Sequence, residues 1–150
     1  MSRDDRQLAL SELLAHCEAT VRRYRHAADI LAGKDGEAVL RRFAIERESL
    51  TQRLRYQVRQ LGGLPDTVDA ECDTFQILDE RVMARLAARG ASALLRSRID
   101  DEQRVMALTN AALTGLLPES VRHILEAARE DVRRTIDLLA QESDRAAQRN

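Results

Sequence analysis

The chain reads as a single all-α domain spanning residues 1–150, an antiparallel bundle of four long helices with a fifth helical segment in its long middle connection. Three observations carry that expectation. The sequence holds only six glycines, two prolines and four aromatic residues, while alanine, leucine, arginine and glutamate abound, a mixture that favours helix over sheet. Apolar residues recur at alternating spacings of three and four through long stretches. The glycines and prolines fall between those stretches, where punctuation belongs.

The first helix carries Leu10, Leu14, Cys17, Val21, Tyr24, Ala28 and Leu31 on one continuous seam and stops at Gly33. The turn Gly33-Lys34-Asp35-Gly36 offers Asp35 as the N-cap of the second helix. That helix has Leu40, Phe43, Leu50, Leu54, Val58 and Leu61 as its stripe and ends at Gly62-Gly63. So short a link makes the two helices antiparallel neighbours. From Leu64 to Gly90 the chain begins with Pro65, Asp66 and Thr67 and continues as a weaker amphipathic segment with Phe75, Leu78, Val82, Met83 and Leu86. The third long helix runs from about Ser92 to Leu113, with Leu95, Ile99, Glu102, Met106, Thr109, Leu113 and Leu116 on one seam, and Gly115 marks its end. Pro118 suits the first helical position of the fourth, with Glu119 at its positive dipole end, and Val121, Leu125, Ala128, Val132, Thr135 and Leu139 form its stripe. The polar tail from about Ser143 to Asn150 is expected to fray.

The middle connection decides the topology. Some 20 helical residues rise about 30 Å and carry the chain back along most of a bundle, so the second and third long helices are expected to run parallel. Two antiparallel hairpins joined by one long helical crossover have the connectivity of a ferritin-like four-helix bundle. The competing arrangement is a five-helix up-and-down bundle with the middle segment inside the core. On the second helix, Ile45 and Tyr56 project away from the main stripe beside Arg41, Gln52 and Arg59. Their cover is expected from the middle segment, through Phe75 or Leu78 with Asp73, Asp79 and Glu80 opposing the arginines, or from a homodimer interface, where Tyr and Arg are favoured.

Composition narrows the functional classes. The net charge of −1 calls for neither nucleic acid nor an anionic membrane, although charge is uneven, +3 up to Gly63 and −4 beyond it. No apolar run approaches the length of a membrane span, and the opening residues have no apolar stretch behind a positive flank as a signal peptide would, so the expected location is the cytoplasm. The clusters Arg22-Arg23-Arg25 and Arg53-Arg55-Arg59 are interleaved with acids and lack stacking aromatics, which argues for a solvated or paired face over a nucleic-acid surface. Cys17 and Cys72 form no Cys-x-x-Cys pair and have no histidine at metal-ligand spacing. Neither a phosphate loop nor a nucleophile elbow occurs.

The residue that bears most on chemistry is Glu102, three after Ile99 and four before Met106, in the middle of the third helix's apolar seam. A buried carboxylate must be paired, metal-bound or protonated. In ferritin-like carboxylate proteins such an acid is a metal ligand, within a set of one Glu from each of two helices and a Glu-x-x-His from each of the other two. Glu18 sits at the edge of the first stripe. Glu46 stands at the boundary of the second, but Ser49 occupies the place of the histidine. On the fourth helix Glu126 and Glu130 point outward, leaving Asp131 as the acid nearest the inner face. None of His16, His26 and His123 follows an acid by three residues, so neither Glu-x-x-His exists. The weak metal candidates are therefore Glu18, Glu46, Glu102 and Asp131. Arg47, in the slot between Phe43 and Leu50, offers the other solution: a polar core pair with Glu102 in the layer where metals would sit.

The segments Leu13 to Ala28 (LLAHCEATVRRYRHAA) and Phe43 to Leu54 (FAIERESLTQRL) carry a resemblance, together with Leu61-Gly62-Gly63-Leu64-Pro65, Asp101-Glu102 and Leu117-Pro118. Through them the chain resembles an uncharacterised bacterial family of ferritin-like four-helix bundles, a domain of unknown function related to small stress-associated ferritin-like proteins. The resemblance implies a ferritin-like fold, Glu46 and Glu102 at family acidic positions, and no established activity. Ile136, followed by Asp137, stands where relatives often have histidine. The expectation is a bundle without catalysis or cofactor, stress-associated or partner-binding, with a degenerate metal site. The alternative is an iron-handling protein or di-iron-type oxidoreductase with an unconventional carboxylate site.

Overall fold

The computed structural model describes residues 3–62 and 80–149, which are helical apart from turns. The helices are α1 (Arg3–Ile30), α2 (Glu37–Gln60), α3 (described over 80–88), α4 (Ala91–Leu113) and α5 (Glu119–Gln148).

Each long helix packs against two others: α1 against α2 and α4, and α5 against α2 and α4. Contacts at the two ends set the directions. Near the start of α1, Gln7 Nε2 donates to the carbonyl of Leu61 after α2 (2.5 Å), and Arg6 Nη1 to that of Leu116 after α4 (2.6 Å). At the opposite end Arg149, after α5, pairs with Asp35, before α2, and Ser143 Oγ of α5 donates to the carbonyl of Ser92 at the start of α4 (3.0 Å). Adjacent helices are thus all antiparallel, and α2 and α4 run parallel across the diagonal.

The apolar seams of α1, α2 and α5 are buried essentially as the 3.6-residue period requires. The α4 seam is rotated. Leu116 is 80% exposed, Ile99, Met106 and Leu113 are half-buried, and Arg98, Val105 and Ala112 lie inside with Leu95, Glu102 and Thr109. Helix α4 is wedged between α1 and α5, so its inner face is set by both neighbours, and Arg98 turns inward because Asp101 supplies a counter-charge.

Local details also depart from expectation. The residue preceding α2 is Gly36, at φ 97 and without a side-chain cap, while Asp35 turns to Arg149. Glu37 secures the turn instead: its Oε1 accepts from the Gly33 amide (3.1 Å), a bond that holds its carboxyl below the usual range. Pro118 occupies the cap position of α5 and helix begins at Glu119. The tail does not fray in the structure. Helix α5 continues to Gln148 because Ser143 and Ala146 are buried against the bundle. Ile45 and Tyr56 remain 71% and 60% exposed. Residues Asp73, Phe75, Leu78 and Asp79 lie outside the described residues, Glu80 is exposed, and Met83 of α3 joins the buried cluster that holds Tyr24, Ala27 and Leu94, while Val82 and Leu86 line a groove with Arg23 of α1 and Ala93 of α4.

The buried apolar residues form two clusters along the bundle. One gathers Leu10, Leu14 and Cys17 with Leu50, Leu54, Val105, Leu125 and Val132. The other gathers Tyr24, Leu31, Leu40 and Phe43 with Leu95 and Leu139. Between them each long helix contributes a buried polar residue: Thr20, Arg47, Glu102 and Thr135.

Candidate functional site

Glu102 is fully buried at the centre of that polar layer, and Arg47 is 3% exposed. The two sit on diagonal helices, and their long side chains span the core. Arg47 Nη2 donates to Glu102 Oε2 at 2.6 Å and to Oε1 at 2.8 Å, with Nε adding a longer bond to Oε1 (3.2 Å). The Tyr24 hydroxyl of α1 donates to the same Oε1 at 2.7 Å. One carboxylate therefore ties α1, α2 and α4 together, as a buried charge requires if it is to be tolerated.

The electrostatics follow from burial. Desolvation, then the Glu102 charge, pushes the Tyr24 hydroxyl well above its ordinary range, so it remains a donor. Cys17 is buried, and desolvation raises its thiol to about 12, with Arg47 acting in the opposite direction. A neutral thiol of this kind is a packing group rather than a nucleophile. Desolvation opposes the Arg47 charge, but Glu102 outweighs it and the guanidinium is held more firmly protonated than usual.

A second polar group flanks the first on the α1–α4 side. Asp101 accepts from Arg98 Nη1 at 2.5 Å and from Arg23 Nη1 at 2.9 Å. Its main-chain carbonyl lies 3.1 Å from His16 Nε2, which must carry the proton to make that bond. Arg98 is 5% exposed, and desolvation lowers its basicity. Sequence reasoning missed both Tyr24 and Arg98 as members of this layer. Arg98 lies four residues before Glu102, on the same helical face, a spacing that would have pointed to it.

The four candidate metal ligands do not converge. Glu18 is half-buried and takes Arg55 Nη2 at 3.0 Å across the α1–α2 contact. Glu46 is exposed and paired with Arg42 at 3.1 Å. Asp131 is paired with Arg134 on its own helix. Glu46 and Asp131 do line one groove of about 460 Å³ between α2 and α5, with Phe43, Ile45, Arg53 and Leu138. Glu102 is not part of it. Among the described residues no group of three or more His, Cys, Asp or Glu side chains is placed to hold a metal ion. Of the arginine clusters, Arg23 and Arg55 are paired with acids while Arg22, Arg25, Arg53 and Arg59 face solvent. No helix among the described residues is long and apolar enough to cross a membrane.

Comparison of the chain with protein-family models, with curated proteins and with solved structures gives no match.

Proposed function

We propose that this chain is a non-catalytic ferritin-like helical bundle that works by binding a protein partner, with an ion pair occupying the bundle centre where related architectures carry metal. The observation that carries this reading is the state of the Glu102 carboxylate. Oε1 accepts three donors and Oε2 the closest of the Arg47 bonds. A cation placed there would have to displace a guanidinium that is itself buried and whose acid partner among the described residues is Glu102. Two further observations support the ferritin-like part: the antiparallel pairs α1–α2 and α4–α5, and the parallel course of α2 and α4, which a long connection containing the 80–88 helix permits.

The test is metal loading. Purified protein given Fe(II) in air, then desalted and assayed for iron, is expected to retain none stoichiometrically, and Glu102→Ala is expected to change nothing in that assay. Stoichiometric iron that Glu102→Ala abolishes would replace this reading with that of an iron-handling protein or oxidoreductase.

A further inference from the structure

The outer face of α2 is the feature that the core leaves unexplained. At 3.6 residues per turn, Ile45, Ser49, Gln52 and Tyr56 fall within a stripe about 60° wide on the side opposite the buried seam, and all four are exposed. Ile45 and Tyr56 are two of the five large hydrophobic residues exposed among the described residues, and about 16 Å of helix separates them. Charged residues flank the stripe in an ordered way. Glu46 and Arg53 lie on its α5 side, and Glu48 and Arg55 on its α1 side.

We propose that this face is a homodimer interface in which α2 packs antiparallel on α2 of a second copy, about a two-fold axis level with Leu50 and Thr51. The proposal deepens the partner-binding reading above and rests on it. In that register Ile45 meets Tyr56 of the second copy, and the small Ser49 meets Gln52 at the axis, where the helices approach most closely. A two-fold axis across the helices keeps the α5 sides together and the α1 sides together. Glu46 then faces Arg53 of the second copy and Glu48 faces Arg55, each pair occurring twice.

The opposite orientation fails on the same charges. A two-fold axis along the helices would bring Glu46 against Glu48 and Arg53 against Arg55, all like-charged, which disfavours that complex. Glu46 is free to re-pair, because its bond with Arg42 is an exposed ion pair of small net worth, whereas Arg55 keeps Glu18 (3.0 Å) as its intramolecular partner and would share its charge with Glu48 of the second copy. Arg41, the residue brought nearest Arg59 of the second copy, already carries Asp29 (3.1 Å) and Glu37 (3.3 Å) as counter-ions. The apolar lining of the α2–α5 groove, Phe43 and Leu138 beside Ile45, gives the incoming Tyr56 ring a surface to cover, and tyrosine is enriched at such contacts.

Sedimentation velocity and light scattering on the full chain test this directly. The wild type is expected to be a dimer, and Ile45→Glu with Tyr56→Glu a monomer of unchanged helicity by circular dichroism. Glu46→Arg alone and Arg53→Glu alone are each expected to raise the dimer Kd at least about tenfold, and the two together to restore it. A wild type that stays monomeric up to millimolar concentration overturns the proposal. So does a dimer indifferent to Ile45→Glu and Tyr56→Glu, and so does a failure of the double charge swap to rescue. None of these results bears on iron retention, so the dimer proposal and the non-catalytic reading fail separately.

Discussion

Tyr24 of α1 and Arg47 of α2 share a single acceptor, Oε1 of Glu102, at 2.7 and 2.8 Å. Two donors from different helices converge on an acid of a third, and the bundle's two apolar clusters meet at this point. The arrangement links three helices at one level of the bundle, which makes it a candidate for fixing their register.

The first prediction concerns that register. Glu102→Ala strands a buried guanidinium and is expected to destabilise the protein by about 3–5 kcal/mol in urea titrations. Arg47→Met combined with Glu102→Leu should recover most of the loss, because both charges leave together. If that double variant shows collapsed amide dispersion in its NMR spectrum, or an altered oligomeric state, the pair serves register. A native-like spectrum would assign it no such role.

Alkaline pH is the next lever. Cys17 has a folded pKa of about 12 against an ordinary 9.0, so the folded state keeps a proton that the unfolded chain loses. Its contribution is complete below pH 9 and is lost as pH rises toward 12. Tyr24, raised above 10.0, acts in the same direction. Stability by urea midpoint is expected to fall steadily above pH 9, and Cys17→Ala should blunt the early part of that fall. In a Cys72→Ser background, the Cys17 thiol should react with a thiol reagent at pH 8 only as fast as the protein opens.

Two glycines of the first turn should respond differently to alanine. Both have positive φ, 76 at Gly33 and 97 at Gly36. A Cβ on Gly36 would meet Leu31 Cδ1 at 3.2 Å and Leu95 Cδ1 at 3.4 Å, whereas one on Gly33 meets nothing within 4 Å. Gly33→Ala is expected to cost about 1 kcal/mol from backbone strain, and Gly36→Ala more, with thermal denaturation ranking the two.

The C-terminus supplies the fourth. Deleting residues 143–150 removes the Ser143 bonds to Ser92 (2.9 Å to its Oγ, 3.0 Å to its carbonyl) together with the buried Ala146 side chain and the Arg149–Asp35 ion pair. The truncated chain is expected to lose at least about 1 kcal/mol, measurable as a lowered Tm. An unchanged Tm would mean that this turn contributes nothing.

Much of this molecule was legible in its sequence. Periodicity places an inward residue every three or four positions, so the seams of α1, α2 and α5 and the inward aim of Arg47 and Glu102 follow from spacing alone. Glycine and proline placement marks the links that follow α1, α2 and α4 and the start of α5. Tertiary structure decided what spacing cannot. The rotation of α4 depended on the two helices that wedge it, and burial of Arg98 on a counter-charge from Asp101. The order in Ser143–Gln148 came from a surface 51 residues away in sequence. The fate of each acid turned on which cation lay across from it: Arg55 for Glu18, Arg42 for Glu46, Arg134 for Asp131, Arg47 for Glu102. Local sequence sets which way a side chain faces, because that is backbone geometry. What it meets there is set by the packing of other helices.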